Sequence, residues 1–286
     1  MKWNVIVSAE CRNSPARMPA LLVISATFAL AVIAVLLVGC NTVPSINPPK
    51  TFRVMTYNIH HGEGIDGKVD VLRIADVIKR EQADIVALQE VDKGVARTER
   101  RDLPAELAAL TGLTCVFSNN FHYQGGEYGN AVLTHFPIIR WTNSHYQMIH
   151  PGEQRGLLQV TLRVHGRELV FMNTHIDYRP EDTERLMNVE EIQGTLSNQR
   201  GDSVVVAGDF NDNPDSRTHA KMKEHFDDAW ELIGHGDGFT FPSEAPQKRI
   251  DYLWLSRDKP VVPIKAWVPQ SDASDHRPLV VEFQVR

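Results

Sequence analysis

Ser203 to Asn211 reads Ser-Val-Val-Val-Ala-Gly-Asp-Phe-Asn. Val204 to Ala207 is a short, β-branched apolar run with polar neighbours, the pattern of a strand buried on both faces. Such a strand does not end in charge without a reason. This one breaks at Gly208 and delivers Asp209 and Asn211 on alternate positions, where extended backbone points both side chains the same way. Asn213-Pro214 then opens a turn towards a helix. A carboxylate and an amide fixed side by side can take a proton from a water and hold that water in line. An Asx turn at a strand end is the purely structural alternative.

Other apolar runs behave the same way. Thr51–Asn58 predicts a strand with Phe52, Val54 and Thr56 on one side, and Asp84–Leu88 a second that runs into Gln89-Glu90. Leu113–Ser118 is a third, and Tyr128-Gly129-Asn130 leads from a Gly125-Gly126 loop into Ala131–Thr134. Arg155–Val164 and Arg167–Thr174 form a hairpin turned at His165-Gly166, its second arm ending Asn173-Thr174-His175; Ile250–Leu255 and Leu279–Val285 complete the set. Helices are expected after the cap Asp70, over Leu103–Leu110, from Pro180 with Leu186, Val189, Ile192 and Leu196 inward, and near Ser216–His225. Asn58, Glu90, Asn130, His175, Asp209, Asn211, Asp251 and the pair Asp275-His276 all fall where apolar runs end or begin. Singly each has a structural explanation, Asp251 for instance as the partner of Arg249. Jointly they point to one site, because the ends of neighbouring strands converge in space.

Gly62-Glu63-Gly64-Ile65-Asp66-Gly67 matches the dinucleotide-binding spacing G-x-G-x-x-G. That function needs the glycines to run straight into a helix N-terminus facing a pyrophosphate. Glu63 and Asp66 would set negative charge against it, and the helix starts only after Asp70. A flexible loop is the better reading.

The N-terminus is a separate matter. Ala20 to Val38 is uncharged and apolar apart from Ser25 and Thr27, follows Lys2, Arg12 and Arg17, and ends Leu37-Val38-Gly39-Cys40. The ending resembles the lipobox of bacterial lipoproteins, which implies residues 1–39 as a cleaved signal peptide and Cys40 as the acylated residue. The expectation is a protein anchored by lipid in the bacterial cell envelope, outside the cytoplasm; a retained single N-terminal transmembrane anchor is the alternative. Residues 40–50, with Pro44, Pro48 and Pro49, read as a tether, and 51–286 as the domain. Cys11 would leave with the signal and Cys40 would carry lipid, so Cys115 remains alone and the domain rests on its core without a disulfide. The same cleavage removes three basic residues and Glu10, moving the net charge from −6 to about −8, a poor balance for non-specific polyanion binding.

Thr56-Tyr57-Asn58, Leu88-Gln89-Glu90-Val91, Gly129-Asn130, Asn173-Thr174-His175, Gly208-Asp209-Phe210-Asn211, Arg249-Ile250-Asp251-Tyr252 and Ser274-Asp275-His276-Arg277-Pro278 together resemble the ordered motifs of the endonuclease/exonuclease/phosphatase superfamily. The resemblance spans about residues 51–286. It implies an α/β fold, a four-layer αββα sandwich of two mixed sheets flanked by helices, and Mg²⁺- or Mn²⁺-dependent cleavage of a phosphoester. It implies Glu90 as the metal residue with Asn58 and Asp275 nearby, Asp209 as the base that activates water and Asn211 as its orienter. His276, oriented by Asp251, would bond the phosphoryl oxygens, and His175, Asn130 and Tyr128 would contact the phosphate. Independently, a donor set of carboxylates, amides and water suits Mg²⁺ better than zinc, and His60-His61 lacks the spacing of a zinc site.

The expected substrate is a small phosphodiester or a lipid head group, the domain acting as a monomer. A secreted or surface nuclease is the alternative. Against it stand the negative charge and a basic run, Arg97, Arg100 and Arg101, that Glu99 and Asp102 interrupt. A non-catalytic binding module on the same fold ranks lower, since none of the catalytic set is missing.

Overall fold

The computed structural model describes residues 50–196, 203–257 and 260–286. The signal sequence, Cys40 and all of the tether but Lys50 lie outside the described residues. The strands are β1 (Lys50–Asn58), β2 (Ile85–Lys93), β3 (Thr114–Tyr123), β4 (Gly126–Thr134), β5 (Ile138–His145), β6 (Gly156–Val164), β7 (Arg167–His175), β8 (Ser203–Asp209), β9 (Phe226–Asp228), β10 (Asp251–Ser256), β11 (Val261–Trp267) and β12 (Leu279–Val285). The helices are α1 (Val71–Glu81), α2 (Leu103–Thr111), α3 (Thr183–Thr195), α4 (Arg217–Met222) and α5 (Ala229–Ile233).

The strands form two six-stranded sheets, ordered β11-β12-β1-β2-β4-β3 and β5-β6-β7-β8-β10-β9. Each is mixed: β1 runs parallel to β2 and β7 parallel to β8, while the other pairs are antiparallel. Three apolar clusters stack through the molecule. The middle one joins the facing sides of the sheets, with Phe52, Val54, Ala87, Phe171, Val205, Ala207 and Leu253. A second sets Met55, Tyr57, Val86 and Leu88 of the first sheet against Val71, Ile74 and Ile78 of α1 and Leu103 of α2. A third sets Val170, Met172, Val204, Val206 and Trp254 of the second sheet against Val189 and Ile192 of α3. Helices, sheet, sheet, helices: this is the four-layer sandwich.

The Val204–Ala207 run shows the logic at single residues. Val204 and Val206 enter the helix-side cluster, whereas Val205 and Ala207 enter the layer between the sheets. Each fully buried valine contributes about 1.5–3 kcal/mol. Gly208 ends the run because a Cβ there would lie 2.1 Å from the Thr174 carbonyl oxygen of the neighbouring strand.

Helix signals were read correctly in kind and shifted in extent. Asp70 caps α1, its carboxylate accepting from the Leu72 N–H, and Ser216 caps α4 by accepting from the His219 N–H at 3.1 Å. Pro180 does not open α3; the helix begins at Thr183. The glycine-rich stretch after β1 folds as a short 3-10 turn over His60–Gly62 followed by a loop closed by a Glu63–Val69 bridge, so its glycines do not run into the N-terminus of α1, which is capped by Asp70.

Candidate active site

Register brings the polar strand ends together. In the first sheet Asn58 pairs with Gln89, one residue before Glu90. In the second, Asp209 lies opposite His175 on one side and Asp251 on the other. Asp275 and His276 lie just before β12, which runs antiparallel to β1, so they reach the same edge. At that edge lies a cavity of about 390 Å³ lined in part by Glu90, Arg155, His175, Asp209, Asn211 and His276.

Asp209 is the centre. It is 1% exposed; its Oδ2 accepts from Asn58 Nδ2 at 3.0 Å and its Oδ1 accepts from the Asn211 N–H at 2.9 Å. Burial, with the Asp251 charge beside it, pushes its carboxyl up to about 7. His276 Nδ1 donates to Asp251 Oδ2 at 2.9 Å, and its Nε2 lies 3.7 Å from Asp209 Oδ2. Burial opposes a charge on this ring, but the Asp251 charge and hydrogen bond, with Asp209 and Asp275, outweigh it and raise His276 to about 10. The balance of charges around it favours the protonated ring. Arg249, whose partner could have been Asp251, pairs instead with Asp228 at 2.5 Å, which leaves Asp251 to His276.

His175 is held in the opposite state. Arg155 Nη1 donates to His175 Nδ1 at 2.9 Å, and because a guanidinium only donates, the ring must accept there and carry its proton on Nε2. That Nε2 faces Asp209 Oδ2 at 3.5 Å. Burial first, then the charges of Arg155 and His276, hold this histidine well below its ordinary value. One carboxylate thus sits between a neutral N–H donor and a charged one.

Glu90 arrives by a different device. The ladder between β2 and β4 slips between Leu88 and Val91, and Glu90 takes a left-handed φ of 59°. A bulge of this kind re-aims a side chain at a functional edge. Asn58 Nδ2 bridges the two carboxylates, donating to Glu90 Oε1 at 3.0 Å as well as to Asp209, while its Oδ1 accepts the His60 N–H at 3.1 Å. Asn58 Nδ2 is thus committed to spacing Glu90 from Asp209. Asp275 is more open, its side chain 41% exposed and its Oδ1 4.0 Å from His60 Nδ1.

His60 and His61, set aside on spacing alone, stand beside Glu90: each of the three offers a ligand atom within 4.8 Å of the others. Both Nδ1 atoms are buried and without a hydrogen-bond partner, and both residues are left-handed, with φ of 43° and 45°. Left-handed backbone at non-glycine residues costs on the order of 1–3 kcal/mol each and gathers where function demands it. Orphaned imidazole nitrogens beside a carboxylate fit a divalent cation.

Two other expectations need correction. Asn130 does not line the cavity; its Nδ2 donates to the backbone carbonyls of Gly156 at 3.3 Å and Asn173 at 3.5 Å, so it braces the two sheets beneath the site. Asn211 does line it, but not from the extended backbone expected of alternate strand positions: its φ of 49° turns the chain, and its Nδ2 donates to the Ile176 carbonyl. The Asp209 Oδ1 contact with the Asn211 N–H is itself an Asx turn, the structural alternative for that strand end. Tyr128 lines the cavity.

Arg155 was missed, although an arginine at the head of an apolar strand is a buried-charge signal. It is 7% exposed and its Nε has no partner. Around the mouth stand Arg97, Phe121, Tyr123 and Tyr178. Arg97 is already neutralised, donating from Nε and Nη2 to Asp92 at 2.8 and 2.9 Å, and lies over the rings of Tyr123 and Tyr128.

Fold and site define a class: a two-sheet sandwich that gathers acids, amides and histidines at one edge, as phosphoester hydrolases do. The family model described as the Endonuclease/Exonuclease/phosphatase family matches residues 55–276, and the chain belongs to that family. Over 254 residues it is 28% identical to the uncharacterized protein YbhP of Escherichia coli strain K12, covering 82% of this chain and 97% of that one. It is 25% identical over 200 residues to a 5'-tyrosyl-DNA phosphodiesterase of Caenorhabditis elegans, covering 66% of this chain and half of that protein. Its fold matches that of a mannosyl-6-phosphatase, Bt3783, of Bacteroides thetaiotaomicron with a TM-score of 0.68 at 17% identity, over 81% of this chain and 99% of that one.

Proposed function

We propose that this chain is a divalent-metal-dependent hydrolase that cleaves a phosphoester, a small phosphodiester or lipid head group, by in-line attack of a water activated by Asp209. The observation that carries this reading is Asp209 itself, buried, raised towards neutrality, and flanked at 3.5 and 3.7 Å by one neutral and one charged imidazole. A general base works best when its pKa lies near the operating pH. The charged His276 and the guanidinium of Arg155 are placed to hold phosphoryl oxygens as negative charge develops, and Asp251 keeps His276 charged and oriented. His175 presents its Nε2–H to the same space, and Asn211 orients the water from the turn after β8. Mg²⁺ or Mn²⁺ at Glu90, with Asp275 beside it, would supply Lewis-acid polarisation of a phosphoryl oxygen.

The cations of the basic run support a small substrate. Arg97 is spent on Asp92 and Arg101 on Glu106, which leaves Arg100 as the one cation of that run without a carboxylate partner among the described residues, little to track a polyanion. The aromatic rim of Phe121, Tyr123 and Tyr178 supports the nuclease alternative, because bases stack on such side chains. Turnover of bis-p-nitrophenyl phosphate with Mg²⁺ or Mn²⁺, and its loss in EDTA, is the expected result; full activity in chelator contradicts the metal-dependent mechanism, and no turnover of any phosphoester favours a binding module. A product-resolved screen of phospholipids, sugar phosphates and single-stranded DNA then separates the two substrate classes.

The same reading places the enzyme as a monomer at the envelope, held by lipid on Cys40. Cys40→Ser is expected to release the protein from membranes or to accumulate an unprocessed precursor. A variant processed and anchored like the parent removes the lipoprotein assignment.

A further inference from the structure

The cluster beside Glu90 contains more than the phosphoester reading uses. His60 and His61 follow Asn58 at the end of β1, where the Asn58 side chain caps the His60 N–H and the chain then turns left-handed at two consecutive residues. The turn sets the two rings edge-on, 4.4 Å between centroids, with a ligand atom of each within 4.8 Å of a Glu90 carboxylate oxygen. His61 is 6% exposed; its Nε2 lies 3.5 Å from Glu63 Oε2, and its Nδ1 has no partner. His60 Nδ1 also has none, with Asp275 Oδ1 4.0 Å away, too far for a hydrogen bond. Buried ring nitrogens with nothing to bond are costly unless something absent from a bare polypeptide completes them.

The other acid-and-histidine clusters do not share this property. His219, Asp228 and Glu231 are tied together and to cations, Asp228 to Arg249 at 2.5 Å and Glu231 to Lys223 at 2.6 Å. Within Asp209, Asp251 and His276 the imidazole is bonded to Asp251. Only the His60, His61 and Glu90 cluster, among the described residues, sets a carboxylate beside two histidines that each carry a buried, unpartnered ring nitrogen.

We propose that His60 and His61 are nitrogen ligands to the divalent cation of Glu90, which makes this a mixed nitrogen–oxygen site selecting a first-row transition ion such as Mn²⁺, Co²⁺ or Zn²⁺ over Mg²⁺. Imidazole suits these ions, and affinity for a nitrogen-containing site rises along the series, whereas Mg²⁺ takes oxygen and keeps its waters. The inference rests on Glu90 being the metal residue of the proposed hydrolase, and it replaces the all-oxygen donor set expected from sequence.

The test uses the untagged full-length chain, stripped with EDTA and reloaded with Mn²⁺. Pulsed electron paramagnetic resonance should show ¹⁴N modulation from bound imidazole in the wild type. His60→Asn and His61→Asn remove the ring nitrogen while keeping a residue that tolerates left-handed backbone. The double variant should lose the modulation and bind Zn²⁺ at least about 10-fold more weakly, the scale that even outer-shell partners command. Its Mg²⁺ affinity should stay within about threefold, far below that ligand-scale loss. A wild-type Mn²⁺ spectrum with no nitrogen coupling overturns the proposal without any variant, as does coupling that survives in a folded double variant. Turnover of bis-p-nitrophenyl phosphate, measured on the same samples, keeps the two claims apart: turnover without nitrogen coupling sinks the ligand assignment alone, and coupling without turnover sinks the hydrolase alone.

Discussion

Asp209→Asn is expected to lower kcat/KM by about 10²–10⁴-fold, the range for loss of a general base, while leaving the fold intact. The substitution keeps the volume and most of the hydrogen bonding; an amide oxygen can still accept from Asn58 Nδ2 or from the Asn211 N–H. It removes the proton acceptor. Stability should hold or rise, because a buried carboxylate beside Asp251 is disfavoured in its charged form, as the upward shift to about 7 records. The sign of the pH dependence follows. The base acts when ionised, so wild-type kcat/KM rises as pH climbs through the Asp209 value and falls as His276 loses its proton near 10. A cation bound nearby favours the carboxylate and moves the acid limb to lower pH. Asp209→Asn should lose the acid limb and keep the basic one.

Glu90→Gln is the second large effect. Glu90 is the one cavity-lining carboxylate shared with the histidine pair, and it is aimed by a bulge that has no other evident purpose. The amide removes the negative charge and leaves a weaker oxygen donor, so metal affinity should fall at least about 10–100-fold. Turnover at saturating substrate and limiting metal should fall with it, and excess metal should restore part of the rate. Isothermal titration with Mn²⁺ beside metal-dependent turnover is the measurement. Unchanged metal affinity in a folded Glu90→Gln variant removes Glu90 from the metal site.

How far the sequence foretold this arrangement can be argued strand by strand. The central strands were legible because they are buried on both faces: β12 was bounded correctly at both ends by its β-branched run, and the Val204–Ala207 run marked the centre of β8, which extends from Ser203 through Gly208 to Asp209. β5, β9 and β11 were not foreseen. Most of β5 is exposed, including Trp141 at 50%, so its strand form comes from pairing with β6 and leaves no apolar alternation to read. β11 lies at the other sheet's edge, interrupted by Pro263 at a register shift. β9 is only three residues long. Among site residues, the acids and amides at the ends of central strands were found because charge after an apolar run is conspicuous. His60, His61 and Arg155 were not, because their contacts are with neighbouring strands distant in sequence: Glu90 comes from the strand beside β1, and His175 meets Arg155 only where β6 and β7 pair. Asn130 shows the reverse error, a polar strand residue whose bonds turn out to be with backbone.

The most direct test of the account is a double-variant cycle on Asp209→Asn and His276→Gln, with turnover and thermal unfolding measured on both singles and the double. If the two residues serve one transition state, each single loses most activity and the double is little worse than the poorer single, as with other residues that act as a unit. Melting temperatures should change little by comparison. Near-wild-type turnover per folded molecule in Asp209→Asn, with the two substitutions adding only in stability, would contradict the account, because these residues would then be bracing strand ends rather than carrying the reaction.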